Sequence, residues 1–244
     1  MKFALFTSMG NTSWDELRTL WDYAEAAGWD AACVTDHFMP NTADRVGDTI
    51  ECWTALAALA TTTKRMRIGT IVTGNTYRHP AVLAKMAANV DIISGGRLIC
   101  GMGAGWQENE HRAYGIEFYT VRERLDRLDE ACRVLKALWT ESKASFKGRY
   151  YQLEDAPLMP KPVQRPYPEL MIGGGGEKVT LLTVARYVSP KGTAIHGQGV
   201  QPTVAVGPGP DDGPQETEAP APGKDKILDK ALELLRSGEA KKAA

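Results

Sequence analysis

Asp36 and His37 stand side by side at the end of a short apolar run, Ala31 to Thr35. A carboxylate and an imidazole delivered together by a buried strand can hold and move a proton near neutral pH. The same pair can also cap the following turn and fill a polar corner of the core. A second candidate is Gly95-Gly96-Arg97-Leu98-Ile99-Cys100-Gly101-Met102-Gly103-Ala104-Gly105-Trp106: a turn, an apolar run, then alternating glycines. Gly101, Gly103 and Gly105 remove side chains where the backbone must pass close to a helix or to a flat ligand. This is not the dinucleotide fingerprint G-x-G-x-x-G, whose third glycine would fall at Trp106. Gly173, Gly174, Gly175 and Gly176 precede a predicted helix from Glu177, and free N–H groups at such a helix start suit an anion. His111 lies near Glu108 and Glu110, but the spacing is not H-E-x-x-H and supplies no third metal ligand. These read as helix-start carboxylates, and His79 beside Pro80 as a helix-start residue.

The elements that must position these groups follow from hydrophobic spacing. Phe3 to Ser8, Ala31 to Thr35, Ile68 to Thr73, Leu98 to Cys100 and Leu170 to Ile172 are short apolar runs of the kind buried in parallel sheets. Between them lie helical patterns. Ser13 caps the first, whose predicted buried stripe is Leu17, Leu20, Trp21, Ala24 and Ala27, with Gly28 as its stop. Further helices are predicted over Ile50 to Thr63, from His79-Pro80 to Gly95, and over Val121 to Thr140. Strand and helix alternating at this spacing mean repeated βα units. Phe146 to Tyr151 breaks the rhythm as a small hairpin, and five prolines between Pro157 and Pro168 impose an extended connection.

Composition excludes several classes. With 43% hydrophobic residues, 24% charged and a net charge of -1, the chain lacks the basic surface that nucleic acid requires. No apolar run approaches the ~18 residues of a membrane span, and Met1 to Phe6 leads into a strand rather than a signal peptide. Cys33, Cys52, Cys100 and Cys132 sit singly in apolar segments, as reduced thiols do, so a cytoplasmic location is expected.

Six stretches, in order, carry a resemblance. They are Thr35-Asp36-His37-Phe38, Trp53 to Ala60, Tyr77-Arg78-His79-Pro80-Ala81, Ser94-Gly95-Gly96-Arg97, Gly101 to Trp106, and Gly148-Arg149-Tyr150-Tyr151. Over residues 1 to about 187 the chain resembles the bacterial luciferase-like oxidoreductases, particularly their deazaflavin-dependent branch. The resemblance implies an α/β fold, a TIM-type (β/α) barrel, with the site at the carboxyl ends of its strands. It implies the deazaflavin coenzyme F-420, or alternatively FMN, and a small organic substrate. It places Asp36 and His37 beside the ring, with His37 handling the proton. Thr70, Ile71 and Val72 would back the ring at a bulge that often holds a non-prolyl cis peptide. Gly103, Ala104 and Gly105 would pass the cofactor's tail, and Gly173 to Gly176 would seat its phosphate. A deazaflavin exchanges hydride at carbon, whereas a flavin also supports oxygenation. Trp106 stands where the glucose 6-phosphate branch carries an acidic glutamate, which argues against sugar-phosphate dehydrogenation by that mechanism.

The likeness stops early. Eight βα units take ~250 residues, and this chain shows about five strands by Gly176. From about 179 to 206 the sequence resembles the carboxyl-terminal part of carboxy-terminal processing proteases, without their catalytic residues. The expected layout is a partial barrel over 1–187, a foreign protease-tail-like segment over 188–206, a Pro/Gly-rich linker over 207–224, and a short amphipathic helix and tail over 225–244. The chain thus reads as a chimera, and an incomplete sheet predicts self-association through its open edge. A non-catalytic fusion or interaction module, and a serine peptidase relative lacking its catalytic part, stand as alternatives to an oxidoreductase.

Overall fold

Ser13 shows how directly local chemistry sets the elements. Its hydroxyl accepts the Glu16 N–H while the Glu16 carboxylate accepts the Ser13 N–H, a reciprocal cap that starts the first helix. Gly28, at φ +85°, lets the chain leave that helix in the left-handed region. The computed structural model describes residues 3–41 and 46–174, all belonging to one compact unit. In chain order the elements begin with β1 (Ala4–Thr7), α1 (Trp14–Ala26), β2 (Ala31–Val34), α2 (Cys52–Thr62), β3 (Arg67–Thr70) and β4 (Thr73–Gly74). They continue with α3 (Pro80–Ile93), β5 (Leu98–Gly103), α4 (Glu108–Ala113), α5 (Val121–Thr140), β6 (Ala144–Lys147), β7 (Gln152–Ala156) and β8 (Glu169–Ile172). Gly175, Gly176, the predicted helix from Glu177 and every segment beyond lie outside the described residues.

The main sheet is parallel throughout. β1 pairs β2 from Ala4↔Ala31, β2 pairs β3 from Ala31↔Arg67, and β3 pairs β5 at Ile68↔Leu98. β4 continues along the same side of β5 at Thr73↔Met102, and β8 takes the other side from Ile99↔Glu169. This is a partial barrel wall. Among the described residues, β1 and β8 each have one neighbour in it. Buried Ala32, Val34, Ile68, Leu98, Cys100 and Met102 meet the apolar faces of α2, α3 and α5, where Trp53, Leu56, Leu83 and Leu135 are sealed from solvent. Such continuous burial is what a sheet covered by helices requires.

Three expectations change. The third strand, expected as one run from Ile68 to Thr73 with a bulge implied by the resemblance, is divided into β3 and β4 after Thr70. The Thr70 hydroxyl donates to the Gly101 carbonyl at 2.7 Å and accepts the Gly101 N–H at 3.0 Å, replacing ladder bonds with side-chain bonds. The fourth strand runs through Gly103 rather than ending at Cys100, because β4 and β8 hydrogen-bond to its glycine end from both sides. Leu20 is 40% exposed and Ala27 is exposed, since the face of α1 that meets the sheet is the narrower row Leu17, Trp21 and Ala24. Among the described residues the hairpin β6–β7 pairs only within itself, as an insertion. Its turn is pinned by the Glu130 carboxylate, which accepts the N–H groups of Arg149, Tyr150 and Tyr151 at 2.8, 2.9 and 3.1 Å.

The Ser94 to Arg97 motif has a structural purpose. Gly95 and Gly96 take φ +68° and +85°, ending α3. The Arg97 guanidinium then donates to the carbonyls of Ala60, Thr63 and Met66 at 2.7 to 2.9 Å, capping the carboxyl end of α2.

Candidate active site

Every strand of the wall delivers its next residues to one place. Ser8 after β1, Asp36 and His37 after β2, Ile71 and Val72 after β3, Gly103 to Trp106 at the end of β5, and Gly173 and Gly174 after β8 line one cavity of about 890 Å³. A cavity at the carboxyl ends of parallel strands, of this size and with mostly apolar walls, suits an organic cofactor or substrate. Ile71–Val72 is a cis peptide bond. Of the residues named from the sequence, His37, Asp36, Ile71, Val72, Gly103, Ala104, Gly105, Gly173 and Gly174 come together here. Thr70 does not line the cavity; its hydroxyl is spent on Gly101.

Glu110 is the residue that sequence reasoning passed over. It lies on α4, within the stretch read from the sequence only as a helix start, and its side chain is fully buried. Its Oε2 faces His37 Nδ1 at 2.9 Å and accepts the Tyr77 hydroxyl; its Oε1 accepts the N–H of Phe38 and, at 3.1 Å, that of Met39. Burial by itself would raise the Glu110 carboxyl, but the hydrogen bonds from His37, Tyr77 and Phe38 outweigh it and hold the group below the usual carboxylate range. An ionised carboxylate can only accept, so His37 must carry hydrogen on Nδ1 and turn its other nitrogen away. His37 Nε2 has no hydrogen-bond partner among the described residues, and the ring lines the cavity with its side chain 24% exposed. Trp106 packs edge-on to it, ring centroids 5.7 Å apart. The signal that could have found Glu110 is its place one turn beyond the glycine edge, on the same helix start as His111.

Asp36 is held differently. Its Oδ2 accepts from Arg78 Nη1 at 2.6 Å, the Gly74 N–H at 3.2 Å and the Thr73 hydroxyl; its Oδ1 accepts Arg78 Nη2 at 3.0 Å. The side chain is fully buried. Arg78 also reaches Glu51 at 2.5 Å, so one guanidinium ties the end of β2 to β4 and to the start of α2. His79 is the N-cap of α3, accepting the Ala81 N–H at 3.2 Å. His111 is buried, its Nε2 2.7 Å from the Thr76 hydroxyl, and the described residues hold no group of metal ligands.

The glycines make room for a neighbour. A Cβ on Gly103 would lie 2.6 Å from Val72 Cγ2, and one on Gly173 would lie 2.6 Å from Val72 Cγ1. Val72 is wedged between the two strand ends and itself faces the cavity. Gly103→Ala is therefore expected to destabilise the fold by roughly 1–3 kcal/mol through overpacking, and adding Val72→Ala should restore most of the loss. Urea midpoints of the single and double variants check this. Equal loss in both would show that Val72 is not what Gly103 accommodates.

The depressed carboxyls also fix a pH dependence. Glu110 and Glu51 both titrate below their ordinary value, Glu51 because bonds from Thr54 and Trp53 and the charge of Arg78 overcome its burial. The unfolded chain then binds more protons in acid, so this stability is complete above the ordinary glutamate value of ~4.3 and drains away as pH falls through the lower folded values. Unfolding midpoints should be level above about pH 5 and fall steeply below about pH 4. In Glu110→Gln the acid limb should be shallower; an unchanged limb would remove Glu110 as a contributor.

With this geometry in hand, the chain can be set beside known proteins. It is 35% identical over 195 residues to an F420-dependent glucose-6-phosphate dehydrogenase of Amycolatopsis mediterranei (strain U-32), covering 75% of this chain and 56% of that protein. It is 37% identical over 166 residues to an FMNH(2)-dependent dimethylsulfone monooxygenase of Pseudomonas putida, covering 67% and 45%. Among solved structures, an F420-dependent secondary alcohol dehydrogenase in complex with an F420-acetone adduct aligns with a TM-score of 0.67 and 30% identity, covering 75% of this chain and 56% of that one. The chain spans about half the length of the curated relatives it matches. Residues 1–190 match the family described as luciferase-like monooxygenase, and on that match the chain belongs to the bacterial luciferase-like family.

Proposed function

We propose that this chain is an oxidoreductase that uses the deazaflavin coenzyme F-420, with FMN as the alternative, and transfers hydride to or from a small organic substrate. The observation that carries the reading is the His37–Glu110 pair, an imidazole at the cavity wall with its far nitrogen fixed by a buried carboxylate. When bound, the deazaflavin supplies two-electron hydride chemistry, and a flavin can add oxygen chemistry. The cavity fits such a group: its volume of about 890 Å³ is in the range for a cofactor site, and its polar lining is sparse. His37 would take a proton from, or return one to, the reacting substrate oxygen through Nε2, the nitrogen that Glu110 leaves free. Glu110 stabilises the imidazolium that forms. Ile71, Val72 and Ala104 form apolar wall that excludes water and orients the ring, and Gly105 continues that edge. Gly173 and Gly174, with Gly175 and Gly176 following in sequence, are assigned to the cofactor's phosphate.

Two assignments differ from the sequence reading. Asp36 is given a positioning role rather than a catalytic one, because its buried carboxylate is already engaged by four hydrogen bonds from Arg78, Thr73 and Gly74. Thr70 becomes a strand tie, because its hydroxyl serves Gly101. Glucose 6-phosphate is not carried over as the substrate: Trp106 is 62% exposed beside His37, at the position where the resemblance implies a glutamate in the sugar-phosphate branch. Titrating the full chain with F-420 and with FMN, followed by fluorescence, tests the proposal. Saturable binding of one is expected, and saturation by neither overturns the reading.

Self-association belongs to the same proposal. Phe3, just before β1, and Phe6 within it, the latter 59% exposed and lining the cavity mouth, flank a strand with one neighbour in the sheet among the described residues. An unpaired parallel edge recruits another chain. Sedimentation velocity is expected to show an average size that rises with protein concentration, and Phe6→Lys should suppress the rise. A monomer at every concentration would show the edge is covered.

A further inference from the structure

We propose that Arg124 is an anion-reading residue of this cavity, so that a ligand held here carries a carboxylate or phosphate that docks on its guanidinium. The proposal deepens the oxidoreductase reading by naming a charge its ligand must bear. Arg124 is 8% exposed and lines the cavity beside Val121 and Leu125, all from the start of the 20-residue α5. Its guanidinium lies over the Phe118 ring, 3.9 Å from the centroid, and Nη1 donates to the Tyr119 carbonyl at 3.1 Å. Nε is sealed from solvent with no partner, and Nη2 makes no hydrogen bond among the described residues. That Nε/Nη2 edge is one of the two forks by which arginine grips a carboxylate or phosphate with paired bonds.

Among the described residues nothing satisfies that edge. No carboxylate pairs with Arg124 among the described residues. The acid whose field reaches it, Glu108, is exposed and already bound to Arg112 at 2.6 Å. Burial, partly offset by Glu108, pulls the Arg124 value down, as expected of a cation without a counter-ion. It also sits at the fourth position of α5, near the positive end of the helix dipole, where a cation is disfavoured and an anion is welcome. Close by, Gln107 is buried with both side-chain amide atoms unpartnered, and its carbonyl contacts His111, whose ring packs 4.8 Å from Phe118. A buried cation costs stability unless it is paired and hydrogen-bonded. An incoming anion completes this one.

The anion can belong to the cofactor's tail or to the substrate, and one set of measurements separates them. The parent, Arg124→Met and Arg124→Lys would be titrated with FMN against riboflavin, and with F-420 against the same deazaflavin lacking its anionic tail. Thermal shifts with inorganic phosphate and acetate, at fixed ionic strength, complete the set. If Arg124 holds the tail, the parent prefers the anionic cofactor and Arg124→Met loses roughly 10- to 100-fold of that affinity, with Arg124→Lys between. If it holds a substrate anion, the variants keep the parent's cofactor preference but lose the protection by phosphate or acetate. A parent showing neither a preference for the anionic forms nor anion protection overturns the proposal without needing a folded variant. So does an Arg124→Met protein that retains both. Should the parent bind no cofactor at all, the oxidoreductase reading fails, and the phosphate and acetate shifts still decide Arg124.

Discussion

Glu110→Gln is expected to slow turnover by roughly 10²- to 10⁴-fold while leaving cofactor affinity and the fold little changed. The reason is a tautomer. The carboxamide oxygen can keep the N–H bonds of Phe38 and Met39, which leaves its NH₂ facing His37 Nδ1 and the Tyr77 oxygen. Facing a donor, a neutral imidazole accepts through Nδ1 and must then carry its hydrogen on Nε2, the nitrogen turned away from Glu110. Position and volume are retained while the proton sits on the wrong atom. Nitrogen-15 NMR of His37 reads this without any substrate: the parent should carry hydrogen on Nδ1 and the variant on Nε2. His37→Asn, which removes the base altogether, should slow hydride transfer by roughly a hundredfold or more with cofactor binding kept. An unchanged tautomer together with unchanged turnover in Glu110→Gln would sink the assignment of this pair.

Asp36→Ala should be the most damaging single change to stability, about 3–5 kcal/mol. It leaves Arg78, whose side chain is 12% exposed, with Glu51 as its one remaining ion-pair partner among the described residues, and it leaves the Gly74 N–H without its acceptor. The Arg78 charge is itself raised in affinity for its proton chiefly by Asp36, against the pull of burial. Because a missing partner costs more than the pair contributes, Arg78→Met in the same background should recover part of the loss. Urea unfolding of the parent, the single variant and the double variant measures both. A loss under about 1 kcal/mol, the range of an exposed ion pair, would mean that Asp36 does not hold the cavity edge together.

The alternation of strands and helices and most of the helical faces could be read from spacing alone. Alternating βα units, Ser13 as a cap, Pro80 at a helix start and the run Val121 to Thr140 are local facts, set by propensity, capping and hydrophobic period within a few residues. The family resemblance added the cavity and brought Asp36, His37 and the glycine edge into it. What only the tertiary structure decided is the division of labour among those residues. Asp36 and His37 are adjacent in sequence and line the same cavity, yet they have different partners. The Asp36 carboxylate is fully buried against Arg78, whereas His37 pairs with Glu110 and keeps 24% of its side chain exposed. Gly103 lines the cavity, and a Cβ there would also meet Val72, a residue 31 positions earlier on the neighbouring strand end. Glu110 looked like an ordinary helix-start acid. It lies 73 residues from His37, and no local pattern carries a contact across that distance; it exists because β2 and β5 deliver their ends to the same edge of one parallel sheet.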